Sequence, residues 1–197
     1  KGGTVLFVGT KRQSKEAVKA AAESCGAFFV TERWLGGLCT NFSIVSKLMQ
    51  RLHTLTSERD TGGLGKYTKK ERSQFDEEIT RLEKLVGGIS GMQRLPDAVV
   101  IADIKVEKTA LREAKKTGIP IIALADTNTD PEGTAYPIPA NDDATKSIQL
   151  ITAYLADAVS DGKMEFEKNR AAAVVESAAK AVPEGIALTA IPKRETV

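Results

Sequence analysis

One histidine, His53, and two cysteines, Cys25 and Cys39, are all that this 197-residue chain holds of the side chains most used for metal binding and nucleophilic chemistry. A single imidazole removes most His-based catalysis and most transition-metal sites. The cysteines show no CxxC spacing, which fits a reducing compartment and argues against structural zinc. The longest apolar run is about five residues, far short of the ~20 needed to cross a bilayer, so no membrane association is expected. No secretory leader is legible, and the chain opens on Lys1 without a methionine, as a fragment would. Aromatic residues are scarce too, at 5%, and the one tryptophan sits in RWLGGLCTN, Arg33 to Asn41. That stretch alternates too poorly for a strand and holds too much glycine for a helix. An indole placed in such a loop serves either a core or a recognition surface.

What the chain does have is unevenly distributed charge. Residues 1–120 carry 21 Lys and Arg against 14 Asp and Glu; residues 121–197 carry 7 against 12. A basic first part and an acidic end suggest one side that faces a polyanion, although such charges can equally solvate helix faces.

The hydrophobic pattern alternates short β-branched runs with amphipathic stretches. TVLFVG (Thr4–Gly9) reads as a buried strand, followed by a helix with Ser14 as N-cap, Ala17, Val18, Ala21 and Ala22 on its apolar stripe, and Gly26 at its end. AFFV (Ala27–Val30) is the next strand. DAVVIAD (Asp97–Asp103), a helix over Glu107–Thr117 closed by Gly118, and IIALA (Ile121–Ala125) repeat the unit. A last helix is expected from about Asp142 to Ser160, ended by Gly162. Strands alternating with single helices imply a doubly wound α/β domain with a parallel sheet, flavodoxin-like or Rossmann-like.

An insertion interrupts that domain. Val45, Leu48, Leu52 and Leu55, then Phe75, Ile79, Leu82, Val86 and Ile89, follow heptad-like spacing. TGGLGKY (Thr61–Tyr67) is a turn between them, and Thr68 to Glu71 is a capping box. This predicts an antiparallel coiled-coil hairpin over 43–89, projecting from an α/β domain made of 1–42 and 90–162 and packed separately from its sheet. His53 falls beside the seam as a surface residue. Residues 163–197 read as a partly disordered tail, with a weak helix over Ala171–Val182.

Function in an open parallel sheet gathers at the carboxyl ends of its strands. The loop GTKRQS (Gly9–Ser14), with Lys11, Arg12 and nearby Lys15 at a helix N-terminus, would suit a phosphate, but it is neither GxGxxG nor a Walker loop. DTNTDPEG (Asp126–Gly133), with Asp142 and Asp143, could hold magnesium or simply form Asx-turns and caps. No nucleophile–base pair is legible, so neither catalytic residues nor a cofactor are expected. A phosphosugar- or nucleotide-binding enzyme or sensor is the rival reading.

LPDAVVIADIKVEKTALREAKKTGIPIIALADTNTDPEG (Leu95–Gly133) closely resembles the bacterial form of the small-subunit ribosomal protein two family. FVGTKRQ (Phe7–Gln13), RWLGGLCTNF (Arg33–Phe42) and the segment IPANDDATKSI ending at Ile148 resemble it as well, in the same order. The resemblance covers roughly 1–162 and includes the coiled-coil insertion. The family's N-terminal segment has no counterpart here. Membership would imply a non-catalytic component of the small ribosomal subunit, in a bacterial cytoplasm or an organelle, binding rRNA and helping hold the head and body together. It would also imply contact with neighbouring ribosomal proteins, including the large multidomain mRNA-binding one. Ribosomal proteins bind mostly through phosphates, with aromatic or arginine planes on exposed nucleotides. The resemblance therefore marks Lys11, Arg12, Lys15, Arg33, Trp34, Gly36, Gly37, Asn41 and, at the hairpin turn, Lys66, Lys69 and Lys70 as RNA-contact residues. Trp34 would brace its loop while Arg33 makes the contact.

Overall fold

In the computed structural model, which describes residues 2–180, five short strands form one parallel sheet. They are β1 (Val5–Val8), β2 (Phe28–Val30), β3 (Ala98–Ile101), β4 (Ile121–Ala125) and β5 (Tyr136–Pro139), in the order β2-β1-β3-β4-β5. Strands β1 to β4 are the apolar runs expected from the sequence. β5 is YPIP, which sequence patterning misses because its two prolines argue against a strand. Its place at the sheet edge resolves the conflict, since an edge strand tolerates a missing N–H.

Alternate residues of these strands face two separate cores. Leu6, Val8, Val30, Val99, Ile101, Ile121 and Ala123 belong to one, and Phe7, Val100 and Leu124 to the other. Helices α1 (Lys15–Ser24) and α5 (Thr145–Lys180) close the second face through Val18, Ala22, Ile148 and Ala156. On the first face lie α4 (Lys108–Thr117), through Ala110 and Ala114, and the base of the inserted hairpin. Helices on both faces make the doubly wound fold that the alternating pattern predicts.

The hairpin consists of α2 (Phe42–Asp60), a 3₁₀ turn over Gly63–Lys66, and α3 (Lys69–Val86). Its seam is the expected one, with Val45, Leu52, Leu55, Ile79, Leu82, Val86 and Ile89 buried and Met49 more enclosed than Leu48. The capping box forms: the Glu71 N–H donates to Thr68 Oγ1, and Glu71 Oε2 accepts from the Thr68 N–H at 2.9 Å. The expectation of a seam packed apart from the sheet is corrected, because its buried residues continue without a gap into the sheet's first core. Close packing at the base explains the join. A Cβ on Gly88 would lie 2.3 Å from the carbonyl oxygen of Phe29 in β2, so only glycine lets the end of the hairpin cross that edge strand.

Two details of the helix ends also differ. Ser14 holds the N-cap position of α1 as expected, but its side chain makes no capping bond; its hydroxyl donates to the Lys11 carbonyl at 2.9 Å. Gly162 does not end α5, which starts later than expected, at Thr145, and continues to Lys180. Tertiary contacts outweigh the glycine penalty: Lys163 Nζ donates to the carbonyls of Cys25 and Gly26 at 2.7 and 2.8 Å, and the Phe166 ring covers Gly2. The cation thereby caps the negative end of α1. The weak helix expected over Ala171–Val182 merges with α5 as far as Lys180, and the rest of the expected tail lies outside the described residues.

Candidate nucleic-acid interface

The sheet order changes direction between β1 and β3, where folds of this kind take a ligand outside the strand ends. Here that crevice is stitched together by the protein's own side chains. Lys11 leaves the end of β1 and donates to Asp103 Oδ2 at 2.9 Å, Asp142 Oδ1 at 3.2 Å and the Asp142 carbonyl at 3.3 Å, while its ammonium lies 2.7 Å from Asp143 Oδ1. Asp103, just after β3, accepts from the N–H groups of Lys105 and Val106. Glu107 accepts from the Thr10 N–H at 2.7 Å. Burial alone would lower the Lys11 pKa, but the bonds to Asp143, Asp103 and Asp142 overcome it and raise it. Burial raises Asp142; Lys11 opposes that, and the Asp103 charge adds to it.

The acidic loops form turns. Asp130 accepts from the Glu132 N–H, and Asn141 from those of Asp143 and Ala144, as Asx-turns do. Carboxylate oxygens of Asp126, Asp142 and Asp143 come within 4.8 Å of one another. Lys11 is the cation held by two of the three.

The loop of the lone tryptophan hangs on one carboxylate from α4. Glu113 Oε1 accepts from Trp34 Nε1 at 3.2 Å and from the Gly37 N–H at 2.7 Å. Its Oε2 accepts from the Cys39 N–H at 3.1 Å and more weakly from Thr40 N–H and Oγ1. Burial would raise this carboxyl's pKa, but the donors at Gly37, Trp34, Cys39 and Thr40 prevail and hold it below the usual carboxylate range. Burial, with the Glu113 charge added, pushes the Cys39 thiol up to about 12, so it stays protonated. Gly37 has φ +94°, the left-handed region that a side chain would disfavour.

The marked RNA-contact residues accordingly divide. Trp34 is buried, as a brace, and presents no face for stacking. Arg33, Gly36 and Asn41 are exposed on the loop it braces, and Asn41 Oδ1 accepts from the Ser43 hydroxyl. Lys11 is enclosed by its carboxylates. Arg12 is exposed, and Lys15 pairs with Glu32 at 2.9 Å. Arg12 and Lys15 share an open groove of about 670 Å³ with Lys84, but Glu16, Glu32 and Glu83 line it too, so it is not uniformly basic. Lys66, Lys69 and Lys70 are exposed at the hairpin tip, Lys66 with its ammonium 5.2 Å from the Tyr67 ring centre. At 1.5 Å per residue, α2 carries that tip roughly 28 Å from the hairpin base, so these three are not brought together with the rest.

Sequence reasoning missed Glu113. The available signal was its place on the inward stripe of α4, between Ala110 and Ala114, where a charged residue must find partners.

The family model described as Ribosomal protein S2 matches residues 1–162. The chain is 46% identical over 167 residues to the small ribosomal subunit protein uS2 of Fusobacterium nucleatum, an alignment covering 84% of this chain and 68% of that protein. It is 50% identical over 172 residues to the uS2 of Acidothermus cellulolyticus, covering 87% and 62%, and 47% identical over 161 residues to that of Geotalea uraniireducens, covering 82% and 63%. The chain thus spans between 62% and 68% of the length of these relatives.

Proposed function

The chain belongs to the ribosomal protein S2 family, and from that premise we propose that it is a non-catalytic structural constituent of the small ribosomal subunit, binding rRNA and neighbouring ribosomal proteins. The observation that carries the reading is the state of the strand-end crevice. Where a nucleotide or phosphosugar would sit, Lys11 and three aspartates already satisfy one another. Of the basic residues marked for RNA, those left for a partner, Arg12 and Arg33 near the sheet and Lys66, Lys69 and Lys70 at the hairpin tip, point the chemistry outward. A surface of that kind suits phosphates along an RNA, where many separate cations each contribute a little. Within this role, 43–89 acts as an arm reaching beyond the α/β body. The large multidomain mRNA-binding ribosomal protein is the neighbour proposed beside it, on a bacterial or organellar ribosome.

Co-sedimentation tests the reading. The protein should remain with small subunits after a moderate salt wash and compete with a bacterial uS2 for its place. Loss into the supernatant at low salt would sink it. A rise in melting temperature with a phosphosugar or nucleotide would favour the enzyme or sensor instead, because a ligand bound only by the native state must stabilise it.

A further inference from the structure

Helix α4 carries Lys108, Arg112 and Lys116 at i, i+4 and i+8, a spacing that sets them along one side of the helix. That side is opposite the buried Ala110, Glu113 and Ala114, and all three cations are exposed. Among the described residues none of them lies within 4 Å of a carboxylate, whereas Lys11, Lys15, Lys19, Arg51, Arg59 and Arg94 all do. The acids nearest in sequence, Glu107 and Glu113, are buried and bonded to inward donors at Thr10 and at the tryptophan loop. Asp130 and Glu132 share a shallow cleft with Lys105 and Lys108 without reaching ion-pair distance.

Local stability does not account for this stripe. Lys116 in the last turn favours the helix dipole, but Lys108 occupies the first helical position, where a cation opposes it. Arg112 has no i,i+4 acid to pair with; its neighbours at that spacing are cations on both sides. Three like charges spaced along one helix side repel one another until an external anion neutralises them. The occupant must carry repeated negative charge at intervals of several ångströms, as an RNA backbone does. Glu113 links this helix rigidly to the loop bearing exposed Arg33, so the two basic features move as one body.

We propose that the outer side of α4, through Lys108, Arg112 and Lys116, is a second phosphate-contact surface for RNA, distinct from the loop after β1. The inference rests on the ribosomal reading and specifies where the RNA backbone runs. The test uses the full chain and a small-subunit rRNA fragment, with binding measured against salt for the wild type and for K108Q/R112Q/K116Q. Each phosphate contact contributes about 0.7 to the log–log slope on single strands, so the triple variant should lose about 2. Its melting temperature should hold, since among the described residues no ion pair is removed. K146Q/K168Q, in the acidic part of the chain, should keep the wild-type slope. In the wild-type complex Lys108 and Lys116 should also be protected from amine acylation, a readout that needs no variant. An unchanged slope with no protection overturns the proposal while leaving the ribosomal reading intact. No RNA binding by the wild type overturns both. Normal RNA binding but lost assembly in the triple variant assigns the surface to an acidic protein and overturns the proposal as well.

Discussion

Both oxygens of Glu113 point at backbone or indole donors, so the one charged group buried on α4 fixes the shape of a loop 74 to 79 residues earlier. Replacing it with glutamine keeps the volume but turns an amide N–H₂ toward a set of groups of which all but the Thr40 hydroxyl can only donate. Glu113→Gln should therefore cost about 3 kcal/mol in chemical denaturation, the scale of lost bonds to a buried charge. The Trp34 emission should shift red as the loop loosens. The pH dependence has a definite sign. The folded-state pKa is depressed, so the stabilisation is present above the unfolded value, near 4.3, and is lost as pH falls through the folded one. The wild type should lose stability over that acid range more steeply than Glu113→Gln. Equal slopes would mean that the carboxylate's charge does not hold the loop.

At the scale of elements, the hairpin separates two kinds of packing. Near the tip, Leu64 is buried in the 3₁₀ turn, while Tyr67 and Phe75 meet edge to face with ring centres 5.1 Å apart. Near the base, Val86 and Ile89 belong to the same core as Leu6 and Val30. Local opening follows the number of contacts that must break, so the tip should exchange its amides faster than the base. Leu64→Ala should speed hydrogen exchange over 60–70 with little change in the global transition. Val86→Ala, with a typical cost of about 1–3 kcal/mol for a core truncation, should lower the melting temperature of the whole chain. If Val86→Ala also released only the hairpin, the shared core would carry no cooperativity.

Over the whole molecule, α5 links parts far apart in sequence. It packs on the second sheet face, and in the turn that follows Gly162 it caps α1 through Lys163 and meets Gly2 through Phe166. Lys163→Met keeps the apolar stem and removes the cap. It should cost about 1–2 kcal/mol in thermal or chemical unfolding, as charged hydrogen bonds to free helix carbonyls do. An unchanged stability would return residues after Gly162 to the status of a tail. The basic groups proposed to meet RNA, by contrast, are distributed between the loop after β2, the outer side of α4 and the hairpin tip. Their combined effect belongs to the assembled surface and not to one motif.

The order of strands and helices, the hairpin seam and its capping box were set by local rules. A period of two or of 3.5 residues, a glycine at a helix end and a Thr–Glu pair three apart each act within a few residues, so the sequence alone determines them. The family was legible for a related reason, because long motifs in fixed order survive as a linear pattern. Three features needed the tertiary structure. YPIP is a strand only because the edge of the sheet asks nothing of its missing N–H groups. Gly162 stays helical only because partners from residues 2, 25 and 26 hold the next turn. Lys11 and Glu113 resemble surface charges in the sequence, yet one fills the ligand crevice and the other orders the tryptophan loop. Their partners lie 73 to 132 positions away, beyond any periodicity, and a buried charge is defined by what surrounds it once the chain has closed.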